Sequence, residues 1–161
     1  MRKAQIQQVF LYLLAAILIG VIALFGYKSI NNIMKHGCEA EKIRFLQQLQ
    51  EIGENNHQYG IKKVIKITPP CNYEWLCIIN NTNTRVAEEL EGNPPGTLKT
   101  AWENNVAQNI FISKGGETPQ QLEAIGISEY LATPKGYVCI KAKGGLFELN
   151  IEGNGKYAII K

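Results

Sequence analysis

The stretch that decides the fold is AQIQQVFLYLLAAILIGVIALFGY, residues 4–27, which contains no charged side chain. An α-helix rises about 1.5 Å per residue, so about 20 apolar residues cross the hydrocarbon core of a bilayer. A cleaved secretory signal has a shorter apolar run, and a small-x-small cleavage site follows it. No such site follows this run. The sequence therefore predicts an uncleaved, single-pass transmembrane helix over residues 5–30, with the lipid bilayer as its partner.

The charges of the 161-residue chain are unevenly distributed. The net charge is +3, from 17 Lys and Arg against 14 acidic residues. Only Arg2, Lys3 and Lys28 are charged before position 31, so the remaining 14 cations of residues 31–161 cancel the 14 acids. A neutral domain lacks the basic patch on which nucleic-acid binding depends. We therefore expect no nucleic acid among the partners.

The acidic and histidine residues exclude many enzyme classes. All acidic residues are Glu, Asp is absent, and the two histidines are His36 and His57. Ser-His-Asp triads, aspartic dyads and Asp-based calcium loops are therefore ruled out. The chain also lacks the common phosphate-loop, zinc-protease, esterase and haem motifs. We expect no catalytic residue, no cofactor and no metal site.

The orientation of the span rests on weak signals. The flanking basic residues nearly balance, because two precede the span and three follow it closely, so the positive-inside rule does not decide. Four cysteines suit an oxidising compartment, and Asn80-Asn81-Thr82 is a glycosylation sequon with Asn80 as the acceptor. Both favour a cell-membrane protein whose domain, residues 31–161, is extracytoplasmic.

One face of the apolar helix carries small residues. Ala16, Gly20, Ala23 and Tyr27 follow one another at i, i+4, i+7 and i+11. Small side chains allow a second helix to approach closely, although Ala and Gly are common in such helices. We expect self-association through this face of the N-terminal helix.

The helical pattern continues past the span. Over residues 39–56 the apolar residues recur at helical spacing and predict an amphipathic helix that ends near 53–56. They are Ala40, Ile43, Phe45, Leu46, Leu49 and Ile52.

Shorter elements follow this helix. Strands are expected over 63–67, 73–79 and 109–113. Short helices are expected over 97–104 and 118–124, the second because Thr118-Pro119-Gln120-Gln121 reads as a helix start, and one or two helical turns over 85–91.

The C-terminus has the clearest strand pattern. Residues 137–143 and 146–152 flank Gly144-Gly145, which predicts a hairpin with a two-residue turn that places Lys141 opposite Glu148. A further turn at 153–155 adds a third strand. The predicted fold class is therefore α+β: a long N-terminal transmembrane helix, then an amphipathic helix packed on an antiparallel β-sheet that ends in a three-stranded meander.

Four cysteines, Cys38, Cys71, Cys77 and Cys139, allow three disulfide pairings, and the sequence does not choose among them. Cys71 and Cys77 cannot pair if both lie on one extended strand, since six residues span roughly 20 Å. We expect two disulfides. A zinc site and reduced core thiols are the alternatives.

The first ten residues, MRKAQIQQVF, resemble the class III signal peptide of archaeal type IV pilin-like proteins. Lys3, Ala4, Gln5 and Phe10 match that pattern, whereas Val9 stands where the family commonly has Glu. The resemblance implies a leader of residues 1–4, cleaved between Ala4 and Gln5, and a helix that forms the core of an extracellular filament.

The rest of the chain resembles a group of uncharacterised archaeal single-span membrane proteins. The shared features are Tyr59-Gly60, Pro70-Cys71-Asn72-Tyr73, Cys77 and the C-terminal hairpin. This resemblance implies no activity. Two functions follow as expectations: a pilin-like structural or surface-filament subunit, or a monomeric membrane-anchored surface module that binds a protein, peptide or glycan.

Overall fold

The computed structural model describes residues 2–80 and 94–161, and the side chains in those ranges other than 2–10 and 31–36. The helical turns predicted over 85–91 lie outside the described residues. The chain forms two compact units, Met1–Glu39 and Ala40–Lys161. The second unit is an α+β domain.

Helix α1 covers Arg2–Asn56 in 55 residues. Its segment Leu11–Ile30 has a mean hydropathy of 2.2 and is long and apolar enough to cross a membrane. None of that segment is buried. The helix ends at Asn56 as predicted, and the Asn56 side chain donates a hydrogen bond to the Ile52 carbonyl at 2.7 Å.

The first sheet has the strand order β1-β7-β8-β5. Its strands are β1 (Lys62–Ile67), β5 (Leu131–Ala132), β7 (Phe147–Gly153) and β8 (Ala158–Ile160). Strands β5 and β8 run parallel, and the other pairs are antiparallel.

The second sheet has the order β4-β3-β2-β6 and is antiparallel throughout. Its strands are β2 (Tyr73–Ile79), β3 (Ile110–Lys114), β4 (Glu123–Gly126) and β6 (Tyr137–Lys141). Helix α2 (Gly96–Glu103) packs on this sheet, since its Leu98 and Ala101 share one apolar cluster with Cys77, Ile79 and Phe111.

The amphipathic part of α1 packs on the first sheet. Phe45 and Leu49 are buried, and the Phe45 ring lies 5.9 Å from the ring of Phe147 in β7. Strand β7 alternates buried and exposed residues, as a strand with one face covered does. Ile43, assigned to the buried stripe from the sequence, is instead 58% exposed. Helical spacing identifies the apolar face of the helix, but it does not say which residues of that face contact the sheet.

The predicted C-terminal meander is right in the antiparallel pairing of β7 with β8 and wrong in the pairing of β6 with β7. Gly144 and Gly145 do form a two-residue turn, with φ of 59° and 75°, and Lys143 pairs with Leu146 across it. Beyond that bridge the strands diverge: β6 pairs with β2, and β7 pairs with β1 and β8. Alternation predicts which side chains face inward, whereas the choice of neighbouring strand depends on partners distant in sequence.

The predicted charge pair within the hairpin is therefore absent. Lys141 donates from Nζ to the Gly116 carbonyl at 2.9 Å, and Glu148 lies opposite Lys66 of β1. The turn between β7 and β8 is also longer than expected, because Gly153 pairs with Ala158.

The helix predicted over 118–124 is wrong as well. Glu123 begins β4, which pairs with β3, and Gln121 has a positive φ of 48°. The hydroxyl of Ser113 donates to the Gln120 carbonyl. That carbonyl is one a helix would have used, so contact with β3 overrides the local helix-start signal.

Gly153 should not tolerate a side chain. A Cβ there would lie 1.9 Å from the Gln58 carbonyl oxygen and 2.7 Å from that of Asn56, both of which are backbone atoms. We expect Gly153→Ala to cost about 1–3 kcal/mol, the range for overpacked sites. Thermal unfolding of the full chain in detergent, followed by tryptophan fluorescence, measures this loss.

Gly96→Ala is the matched control, because nothing lies within 4 Å of a Cβ at that position. It should unfold within about 0.5 kcal/mol of the wild type, as surface substitutions usually do. Equal stability of the two variants would contradict the close approach of Gly153 to residues 56–58.

Candidate functional site

Three polar side chains from distant parts of the chain meet near one end of the second sheet. The Glu123 carboxylate lies 2.5 Å from the Lys42 ammonium through Oε1, and its Oε2 accepts a hydrogen bond from the Tyr73 hydroxyl, also at 2.5 Å. The Lys42 ammonium is 5.3 Å from the centre of the Tyr73 ring. We call these three residues the Glu123 cluster.

The elements of the domain explain why these residues meet. Lys42 stands one helical turn before the buried Phe45, so its side chain starts on the face of α1 that packs into the domain. Tyr73 and Glu123 are the first residues of β2 and β4. Strand β3 lies between β2 and β4 in the sheet, and the long tyrosine side chain reaches across it.

Each group in the Glu123 cluster favours one protonation state. Hydrogen bonds from Lys42 and Tyr73 lower the pKa of Glu123. Burial raises the pKa of Tyr73, and the hydrogen bond to Glu123 adds to this. Burial opposes the charge of Lys42, but the hydrogen bonds to Glu123 and Tyr73 outweigh it and raise the pKa of Lys42. All three shifts move the pKa values further from pH 7, so the cluster is poorly suited to proton transfer at that pH.

A polar cleft of about 460 Å³ adjoins the Glu123 cluster. This volume falls within the range of small-molecule sites. The cleft is lined by Tyr73, Lys114, Gly115, Gln120, Gln121 and Glu123.

Lys114 and the two glutamines leave hydrogen-bonding groups free in this cleft. The Lys114 ammonium lies 5.5 Å from the Tyr73 ring centre and makes no close ion pair in the described part of the chain, although its charge also helps to lower the pKa of Glu123. Gln120 and Gln121 are exposed, and no hydrogen bond of either carboxamide is seen within the described residues. The arrangement therefore offers donors and acceptors to a small polar molecule.

Glu123 should make stability depend on acid pH. Its lowered pKa means that the folded state holds the carboxylate ionised, so this contribution is present above pH 4.5 and is lost as pH falls through the lower folded-state pKa. With the side chain 46% exposed, we expect less than about 1 kcal/mol. The difference in melting temperature between wild type and Glu123→Gln should be largest at pH 7 and shrink towards pH 3.

Glu117→Gln provides the control for this pH dependence. Glu117 is exposed and makes no ion pair within the described ranges. A Glu117→Gln variant should follow the wild-type pH curve. If the melting temperature of Glu123→Gln also follows the wild-type pH curve, the Glu123 cluster does not hold the carboxylate ionised.

The cysteines predicted to form two disulfides are all disulfide-bonded. The bridge between Cys77 and Cys139 joins directly opposed residues of β2 and β6, with a Cα–Cα distance of 4.1 Å. Cys139 also packs against the apolar cluster under α2. Cys71 donates its backbone N–H to Glu41 of α1 at 2.9 Å.

Asn80 does not present itself as a glycosylation acceptor in the folded domain. Its side chain is 2% exposed, donates to the Thr133 carbonyl at 2.8 Å and accepts from the Thr133 N–H at 2.7 Å. Asn109 bonds the backbone of Ser128 in the same way. The Asn109 carboxamide therefore holds the segment between β4 and β5, and the Asn80 carboxamide holds the residue that follows β5.

The remaining predicted residues lie in α1. Ala16, Gly20, Ala23 and Tyr27 lie within Leu11–Ile30 and are exposed, and no atom lies within 4 Å of a Cβ placed on Gly20. Ala4 and Gln5 also belong to α1.

Sequence reasoning missed the Glu123 cluster. Lys42 and Glu123 are 81 residues apart, and no local motif connects them. The only available signal was a lysine placed on the apolar side of an amphipathic helix, since such a lysine needs a partner when it is partly buried. Among the described residues, no group of three or more His, Cys or Glu side chains is arranged to hold a metal ion.

Comparison with protein-family models, curated proteins and solved structures finds no match to this chain. Its function has therefore to be inferred from its own residues.

Proposed function

We propose that this chain is a single-pass membrane protein whose α+β domain lies outside the cell, and that it serves as a pilin-like structural subunit without catalysis. The observation that carries the proposal is the exposed apolar segment Leu11–Ile30. Its large side chains, such as Leu24 and Phe25, are more than 70% exposed. Apolar surface on this scale requires a lipid or protein cover.

The domain fits an oxidising compartment. All four cysteines of the chain are disulfide-bonded, three of them in the domain, and disulfides persist mainly outside the cytosol. The class III leader resemblance at Lys3, Ala4 and Gln5 adds the pilin-like part of the proposal.

Helix association is the step that would build a filament. The face of Ala16, Gly20, Ala23 and Tyr27 is open to a second helix. A Gly20→Ile side chain on this face would hold that helix away, since close packing in membranes relies on small residues. Gly26→Ile is the matched control, because Gly26 is equally open but lies off that face.

Sedimentation of the full chain in detergent tests this step. Gly20→Ile should weaken self-association, and Gly26→Ile should leave it at the wild-type level. Equal behaviour of the two variants would contradict packing through the small-residue face.

The mature N-terminus tests the pilin-like part. Mass spectrometry of protein from native membranes should find a chain that begins at Gln5. An intact N-terminus that retains Arg2 and Lys3 would contradict processing by a pilin-type peptidase.

A monomeric surface module that binds a protein, peptide or glycan is the second candidate. The polar cleft beside Tyr73 and Lys114 favours it, as does Val9 in place of the usual Glu. Electron microscopy separates the two: surface filaments that disappear when the gene is deleted support the structural subunit and contradict the monomeric module.

A further inference from the structure

The free polar groups of the cleft point to a ligand. Lys114 supplies a cation that makes no close ion pair in the described part of the chain and acts on the Glu123 carboxylate only as a longer-range charge. Gln120 and Gln121 supply carboxamides that both donate and accept hydrogen bonds. Glu123 uses one hydrogen bond on each oxygen and retains further acceptor sites.

The wall of the cleft is held in place before any ligand binds. The Gly116 carbonyl accepts hydrogen bonds from the Trp75 indole at 3.2 Å and the Lys141 ammonium at 2.9 Å, which fixes the loop after β3. The Ser113 hydroxyl also donates a hydrogen bond to the carbonyl of Gln120, a residue that lines the cleft. Pre-organised groups lose little entropy when a ligand binds.

Gln121 adopts an unusual backbone conformation for its residue type. Its φ of 48° lies in the left-handed region that favours glycine and asparagine. A glycine here would relieve that strain but would remove the carboxamide from the cleft. Strained backbone conformations of this kind cluster at ligand sites, where the side chain contacts the ligand.

We propose that this cleft binds a carboxylate-bearing sugar, a uronate. The carboxylate would pair with the Lys114 ammonium, in the charge-assisted contact that ammonium groups make with carboxylates. The sugar hydroxyls both donate and accept, which matches the two glutamine carboxamides and the remaining acceptor sites of Glu123. The inference goes beyond the proposed structural role and holds whether or not the N-terminal helices associate.

The size of the cleft favours a single sugar unit over a larger ligand such as a protein segment. At about 460 Å³ it accommodates one or two rings and not a protein segment. Glu74 lies beside Gly115, where its carboxylate approaches to 3.0 Å of a Cβ placed on that glycine. Glu74 would therefore disfavour ligands that carry a second acidic group on that side.

Titration of the isotope-labelled full chain in detergent tests the proposal by amide chemical shifts. The probes are galacturonate, galactose as the matched neutral sugar, and acetate as the bare carboxylate. Galacturonate should give saturable shifts at Gly115, Gln121 and Glu123 in the millimolar range, and it should bind more tightly than either control. Affinity equal to that of galactose or acetate, or no saturable shift, would overturn the proposal.

Variants connect the binding to the cleft. Lys114→Gln should weaken galacturonate binding about fivefold, the factor that one exposed ion pair supplies, and should leave galactose unchanged. Lys135→Gln is the matched control, since Lys135 is exposed and no interaction of it is seen in the described ranges. If both variants bind galacturonate like the wild type, Lys114 is not the counter-ion and the proposal fails.

Failure here is distinguishable from failure of the proposed function. A chain that begins at Gln5 and associates through its helix, but does not bind galacturonate, would retain the structural role and lose the sugar site. The reverse pattern would leave a sugar-binding surface module.

Discussion

Replacing Phe147 by Ala should lower the stability of the domain by about 3–5 kcal/mol, the usual cost of removing a buried aromatic ring. Phe147 is fully buried at the start of β7 and lies 5.9 Å from the Phe45 ring of α1. The substitution leaves a cavity between the helix and the first sheet. The melting temperature of the full chain in detergent should fall by roughly 10–20 °C.

Val64→Ala is the control for this loss. Val64 lies in the neighbouring strand β1 and is 53% exposed, so its truncation leaves no internal cavity. We expect a change within about 0.5 kcal/mol. If Phe147→Ala had the same melting temperature as Val64→Ala, α1 would not pack on the first sheet.

Removing the bridge between Cys77 and Cys139 should have an effect of similar size. The two cysteines are 62 residues apart, and closing a loop of that length restricts the unfolded chain by about 4 kcal/mol in the chain-entropy model. The double variant Cys77→Ala, Cys139→Ala also truncates side chains against Leu98 and Phe111. Its melting temperature should therefore fall by 10 °C or more, on the order expected for such a loss.

Non-reducing peptide mapping checks the pairing on which this prediction depends. Trypsin alone leaves Cys71 and Cys77 in one peptide, because no Lys or Arg lies between them. Cleavage after Glu74 separates the two cysteines. The peptide with Cys77 should then be linked to the peptide with Cys139, and a link from Cys77 to Cys38 or Cys71 would contradict the register of β2 against β6.

The sequence predicted those elements whose signals are local. Strand β2 was expected over residues 73–79 and has those bounds, because alternating aromatic and aliphatic residues carry the strand signal in one short run. The end of α1 near Asn56 was also predicted, since the apolar helical spacing stops there. Two disulfides followed from the cysteine count alone.

The arrangement of the strands could not be predicted in the same way. Residues 137–152 form a turn at Gly144-Gly145, but the two strands separate because β6 pairs with β2 and β7 pairs with β1. The paired residues are 58 to 66 positions apart for β2 and β6 and 80 to 90 positions apart for β1 and β7. A hairpin pattern describes the turn and the alternation of side chains, but it carries no information on such distant neighbours.

The candidate site depended on the same long-range contacts. Lys42, Tyr73 and Glu123 are unremarkable in sequence, and only the packing of α1 against the sheet brings them together. For Asn80 the sequence predicted a site that the fold does not present. The sequon is a local signal for glycosylation, whereas the hydrogen bonds that bury Asn80 against Thr133 depend on the fold.

Labelling of lysines on intact cells tests the proposed topology most directly. A membrane-impermeant amine reagent should modify exposed lysines of the domain, such as Lys62 and Lys135, without permeabilisation. The modified positions are read by mass spectrometry of the purified chain, with a cytosolic protein as the leakage control. Domain lysines labelled in intact cells would agree with an anchored protein that faces outward, and labelling only after permeabilisation would contradict it.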